Sequence, residues 1–95
     1  MAIRVIIERQ VVQGNELKLN SLLMELRSKA MLAKGYISGE TLRSLLDPNT
    51  FIVVSTWNSP EDWKAWEQSK ERKAIQAKID ELLRFPSKYQ VYAYY

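Results

Sequence analysis

Residues 51–57 read Phe-Ile-Val-Val-Ser-Thr-Trp, and just beyond them comes Ser59-Pro60-Glu61-Asp62. The first segment is the strongest strand signal in the chain, being short, β-branched and aromatic. The second announces a helix: serine suits the N-cap, proline the first helical position, and acids the first turn, where they favour the helix dipole. Ahead of both, Asp47-Pro48-Asn49 has turn chemistry, with Asp opening the turn and Pro fixing φ at the next position. A strand between a turn and a helix is the fixed point from which the rest is read.

Downstream, Trp63 and Trp66 lie three apart, and helical spacing runs on through Ala74, Ile75, Ile79, Leu82 and Leu83, with a break expected near Ser69. Phe85-Pro86-Ser87 ends that helix, and residues 89–95 (YQVYAYY) form a last strand. Upstream, residues 36–45 (YISGETLRSL) read as a strand weakened by Gly39. Before it, Leu19, Leu22, Leu23, Leu26, Ala30 and Ala33 make one apolar helical stripe. Gly14-Asn15 opens that helix, and Gly35 is expected as its left-handed C-cap. Residues 2–9 (AIRVIIER) complete the set as a first strand. The order is β-α-β-β-α-β, the ferredoxin-like split unit, which predicts an α+β fold with a four-stranded antiparallel sheet. No repeat or linker interrupts residues 1–95, so a single domain is expected.

The strands carry apolar residues on both faces. In the third, Phe51, Val53, Ser55 and Trp57 point one way and Ile52, Val54 and Thr56 the other. Two helices can cover one face of a four-stranded sheet. A second copy packed sheet to sheet is the economical cover for the other, so a homodimer is expected. Burying ~400 Å² of apolar surface per chain would contribute roughly 10 kcal/mol before association costs.

Composition narrows the chemistry. Hydrophobic residues make up 46% and charged residues 26% of the 95, ordinary for a globular protein. The chain has no cysteine and no histidine. Disulfides, thiolate metal sites and a cysteine nucleophile are excluded, as are a histidine base and a histidine haem ligand. The net charge of +3 is modest and its lysines and arginines alternate with acids, so no nucleic-acid partner is expected. FIVVSTW also lacks the basic, glycine-containing signature of RNA-recognition strands. Arg4 and Glu8 interrupt the first apolar run, so neither a signal peptide nor a membrane span is read there, and a cytoplasmic location is expected.

Gly14, Gly35-Tyr36, Arg43, Asp47-Pro48, Phe51 through Trp57, Ser59 and the Trp-rich helix together resemble the antibiotic biosynthesis monooxygenase family, over roughly residues 2–93. The resemblance implies a dimeric α+β barrel with a pocket between helices and sheet in each subunit. It implies oxidation of quinols or polyketide aromatics by dioxygen, with no cofactor: neither metal nor flavin. Some members degrade haem, using an asparagine, a tryptophan and a histidine. Those positions fall here on Ile7, Trp66 and Gln76, so haem degradation is not expected.

On that resemblance, Arg43 is expected to stabilise a substrate phenolate and Tyr36 to hydrogen-bond a ring oxygen. Trp66 joins them as a catalytic candidate, with Trp57, Trp63 and Ser55 as pocket residues. Packing suits the same residues. The tryptophans fit a core, Arg43 a surface ion pair, and Ser55 a cross-strand hydrogen bond. The expected function is thus a cofactor-independent monooxygenase acting on a small aromatic or quinol. The alternative is a non-catalytic dimeric module that binds a hydrophobic metabolite.

Overall fold

A computed structural model describes residues 1–95. The elements are β1 (Ile3–Gln10), α1 (Glu16–Ala30), β2 (Tyr36–Arg43), β3 (Thr50–Trp57), α2 (Pro60–Glu67), α3 (Lys70–Asp80) and β4 (Lys88–Ala93). The four strands form one antiparallel sheet in the order β2-β3-β1-β4, the ferredoxin-like arrangement.

Strand parity decides what the sheet shows to each side. In β1, Ile3, Val5, Ile7 and Arg9 are buried beneath the helices. Across the ladder, Trp57 faces Ile3, Ser55 faces Val5 and Val53 faces Ile7, so the same side of β3 joins them. The helix α1 answers with Leu19, Leu23, Leu26 and Ala30, one stripe at three- and four-residue steps. Trp63 and Trp66 from α2 and Ile75 and Ile79 from α3 complete this core.

The second major helix is broken where Ser69 stands. Ser69 Oγ accepts from the Arg72 amide at 3.2 Å, capping α3, and donates to the Trp66 carbonyl at 2.8 Å. Ser59 caps α2 in the expected way, accepting from the Asp62 amide at 3.1 Å. The Asp47 turn also forms, with its carbonyl accepting from the Thr50 amide at 2.9 Å.

The strands β1, β2 and β3 shift by one or two residues from the sequence reading, and three boundaries differ in ways that bear on the site. The helix α1 stops at Ala30, so Ala33 and Gly35 lie in the turn after it. Gly35 has the left-handed φ of 84°, but not as the cap residue: the cap position is Met31 in ordinary helical geometry. The helix α3 ends at Asp80, several residues before Phe85. The strand β4 spans Lys88–Ala93, and the helices cover it only in part, leaving Tyr89 and Val91 exposed.

The turn at Gly35 is tight for a second reason. A Cβ there would run into the side chain of Asp62 at the start of α2. Gly14 also has a positive φ, 98°, but nothing lies near it. Gly35→Ala is therefore expected to cost more than the ~1–2 kcal/mol of a forced left-handed residue, and Gly14→Ala about that much alone. Denaturant midpoints of the two variants check this. Equal losses would mean that the approach to Asp62 carries no constraint.

The opposite face of the sheet has no cover within the chain. Ile6, Ile52, Val54 and Thr56 lie half-buried on it, beside the more exposed Leu42 and Tyr92. No helix is long and apolar enough to cross a membrane.

Candidate active site

A cavity of about 50 Å³ lies between the helices and the buried face of the sheet. Leu23, Leu26 and Ala30 of α1 form one side, and Trp63 and Trp66 of α2 another. Ile7, Arg9, Val53, Ser55 and Trp57 form the sheet side, and Arg72 reaches in from α3. Arg27, Glu40 and Thr41 also line it and are exposed, which locates its mouth between α1 and β2.

Trp57 is the hub of the aromatic wall. It closes β3 on the buried face, is 1% exposed, and its indole nitrogen donates to Ser55 Oγ at 3.1 Å. Trp63 meets it edge-on at 5.7 Å between ring centroids, and Trp66 stacks on it at 6.4 Å. Both come from α2 because a three-residue step keeps two side chains on one helix face. Tyr36 meets Trp57 edge-on at 5.3 Å. A bulge between Tyr36 and Ser38 allows this by shifting the β2 register. Gly39 then leaves room for the phenol, since a Cβ there would lie 2.6 Å from Tyr36 Oη.

Five of the expected residues, Tyr36, Ser55, Trp57, Trp63 and Trp66, thus meet around one cavity. Arg43 does not. It has the right strand parity, facing Phe51 across the ladder, but sits at the far end of β2. Its Nε donates to the Pro48 carbonyl at 2.6 Å and its guanidinium lies 5.2 Å over the Phe51 ring. The turn after β2 holds it at the surface, away from the cavity.

The buried cationic groups of the cavity are instead Arg9 and Arg72, while Arg27 and the Glu40 carboxylate stand at its mouth. Arg9, 1% exposed, donates through Nη2 to Gln76 Oε1 at 2.7 Å, while its Nε and Nη1 are buried without a hydrogen-bond partner. Gln76 is fixed in turn by donating to Asp80 Oδ1 at 2.8 Å. Arg72 donates to Tyr89 Oη at 2.7 Å, and its guanidinium lies 5.5 Å from the Trp63 ring and 5.4 Å from that of Tyr89. Burial, the largest influence, pushes Arg9 down to about 10; nearby Arg72 lowers it too, and Tyr89 and Asp80 oppose them. At neutral pH Arg9 therefore remains a cation. No group of three or more acidic, histidine or cysteine side chains is placed to hold a metal ion.

Sequence periodicity holds a signal for Arg9. It continues the Ile3, Val5, Ile7 alternation and so belongs to the buried face. Arg72 shares its helix face with Ile75 and Ile79 by the same kind of spacing.

Residues 2–78 match the family model described as antibiotic biosynthesis monooxygenase. No curated protein matches the chain in sequence. Among solved structures, a conserved protein from Methanosarcina mazei Go1 superposes with a TM-score of 0.91 at 21% identity, covering 97% of this chain and 91% of that one. Rv0793 from Mycobacterium tuberculosis gives a TM-score of 0.90 at 19% identity, over 100% of this chain and 96% of that one. SnoaB, a cofactor-independent oxygenase from Streptomyces nogalater, gives 0.86 at 12% identity, over 100% and 95%. At such identities these likenesses speak to the fold. The sequence match reaches further, because it takes in most of the chain: this protein belongs to the antibiotic biosynthesis monooxygenase family.

Proposed function

We propose that this chain is a monooxygenase that oxidises a small aromatic or quinol substrate within the tryptophan-lined cavity, without metal or flavin. One observation carries the reading: three indoles and a tyrosine ring enclose a space whose buried charged groups are two guanidinium cations, with Glu40 only at the exposed mouth. An aromatic ring stacks well on such walls, and an oxygen-bearing ring gains charge-assisted hydrogen bonds there. Family membership and the likeness to SnoaB agree with it. The chemistry balances without a cofactor. A hydroquinone and dioxygen give a hydroxyquinone and water: one oxygen atom bonds to a ring carbon in place of hydrogen, the O–O bond breaks, and the substrate supplies every electron.

The size of the cavity bears on the substrate. At about 50 Å³ it holds a few waters, well below the ~300–1,000 Å³ of sites for drug-sized ligands. A single ring with modest movement of the walls is favoured over a fused polyketide. Oxygen consumption with a panel of hydroquinones is the direct test. Trp66→Phe, which keeps an aromatic ring beside Trp57, is expected to preserve the fold and lower turnover about tenfold, ~1.4 kcal/mol in the barrier. Tight binding with no oxygen consumption would favour the non-catalytic binding module instead.

The working unit is proposed to be a homodimer, in which the open sheet face carrying Ile6, Val54 and Tyr92 packs on a second copy. Light scattering at micromolar concentration is expected to give twice the chain mass. Val54→Asp, which places a charge amid that face, is expected to yield monomers. A wild-type monomer under those conditions would remove this part of the proposal.

A further inference from the structure

We infer that the cavity takes its aromatic ligand as an anion, with the negative oxygen lodged against Arg9 and Arg72, and that this pair acidifies a phenolic substrate in place of a histidine base. The inference rests on the proposed function for its setting, but it concerns binding and ionisation rather than oxygen chemistry.

Two cations close together in an apolar interior are expensive, and a single-chain core gains nothing from them that methionine and leucine would not supply more cheaply. Arg72 is partly compensated, since its guanidinium lies against the rings of Trp63 and Tyr89 and bonds the Tyr89 hydroxyl. Arg9 is not. Its one partner is the neutral amide of Gln76, and Nε and Nη1 remain buried donors with nothing to bond. The nearest help from a carboxylate is indirect, because Gln76 stands between Arg9 and Asp80. Orphaned buried donors of this kind are rare in folded proteins and call for an acceptor.

The rest of the wall says which acceptor fits. Indole faces and the leucines of α1 suit an aromatic ring, and the small volume restricts it to a single one. A ring bearing one oxyanion, a phenolate or an aryl carboxylate, satisfies both halves of the site. A phenol bound there loses its proton to solvent, because positive charge within a few ångströms favours the ionised form and lowers the pKa by about one to three units. The chain has no histidine to act as base, and such acidification provides a phenolate fraction near neutral pH without one.

The probe is 4-nitrophenol, a single ring whose own pKa lies near neutrality and whose phenolate is read by its visible absorbance. The protein in excess is expected to move the titration midpoint of bound 4-nitrophenol down by about one pH unit or more. Arg9→Met and Arg72→Met are each expected to abolish most of that drop. Arg43→Met, which removes an equal charge outside the cavity, is expected to leave it intact. Benzoate is expected to compete for the site, and the isosteric neutral benzamide to compete at least ~10-fold less well. A midpoint that is unchanged or raised, as burial without the cations would give, overturns the inference. So does equal competition by benzamide, or failure of 4-nitrophenol to bind. The proposed function fails separately: phenolate capture without hydroquinone oxidation sinks the oxygenase and spares the anion site, whereas oxidation with no preference for anions does the reverse.

Discussion

Trp57→Ala is expected to be the most damaging single substitution in this chain, costing about 4 kcal/mol. The residue is 1% exposed at the end of β3, and the rings of Tyr36, Trp63 and Trp66 all rest against it. Truncation removes the largest fully buried side chain and leaves a void that joins the existing cavity. Collapse into that void is hindered, because Trp57 sits on a strand paired on both sides, with Ile3 and with Tyr36. Stabilities of small domains run to about 5–15 kcal/mol, so most of the reserve would go. Urea unfolding should show the loss as a lower midpoint with little change in slope. A decrease below ~1 kcal/mol would mean that the aromatic cluster is a flexible lining rather than the keystone of the core.

The second large effect has the opposite sign. Arg9→Met combined with Gln76→Leu is expected to stabilise the protein at neutral pH by about 3 kcal/mol, roughly a 10–20 °C rise in Tm. Burial, the largest influence, lowers Arg9 well below its ordinary value to about 10, which marks its charge as a cost to the fold. Replacing Arg9 alone gains less, since Gln76 Oε1 loses its donor. The pH dependence follows from the depressed value. Above about pH 10 the unfolded chain still holds a proton on Arg9 that the folded chain has released, so wild-type stability rises with pH there. Below pH 10 both states hold the proton and the penalty is complete. The gap between variant and wild type should accordingly be widest near neutrality and close toward pH 12. Destabilisation of the double variant at pH 7 would show that Arg9 holds the fold together.

The sequence made the fold legible through period and punctuation. The alternation of Ile3, Val5 and Ile7, the Leu19-to-Ala30 stripe and the Ser59-Pro60 helix start each depend on neighbours in the chain. The aromatic half of the site was legible for the same reason, because Trp63 and Trp66 are three residues apart on one helix. The cationic half was not. Arg43 and Arg9 both have the parity that points beneath the helices and both lie opposite Phe51, and parity alone cannot tell an edge strand such as β2 from a covered interior one such as β1. Phe51 and the Pro48 carbonyl hold Arg43 at the rim, whereas Arg9 finds Gln76 at a separation of 67 residues. Contacts at that range are set by how α3 crosses the sheet, which no local pattern reports.

The seam at Ser69 has a kinetic consequence. Because its hydroxyl closes α2 and its oxygen opens α3, the two segments are separate hydrogen-bonded panels meeting at one residue. Were the eight-residue panel to pivot there, Trp63 and Trp66 would move together, while Gln76 stayed with β1 through Arg9. Such a swing would widen the cavity at the expense of the contacts that both indoles make with Trp57. Collective motions of this size run on the μs–ms scale, so a cavity opened in this way would fill at the pace of the swing rather than of diffusion.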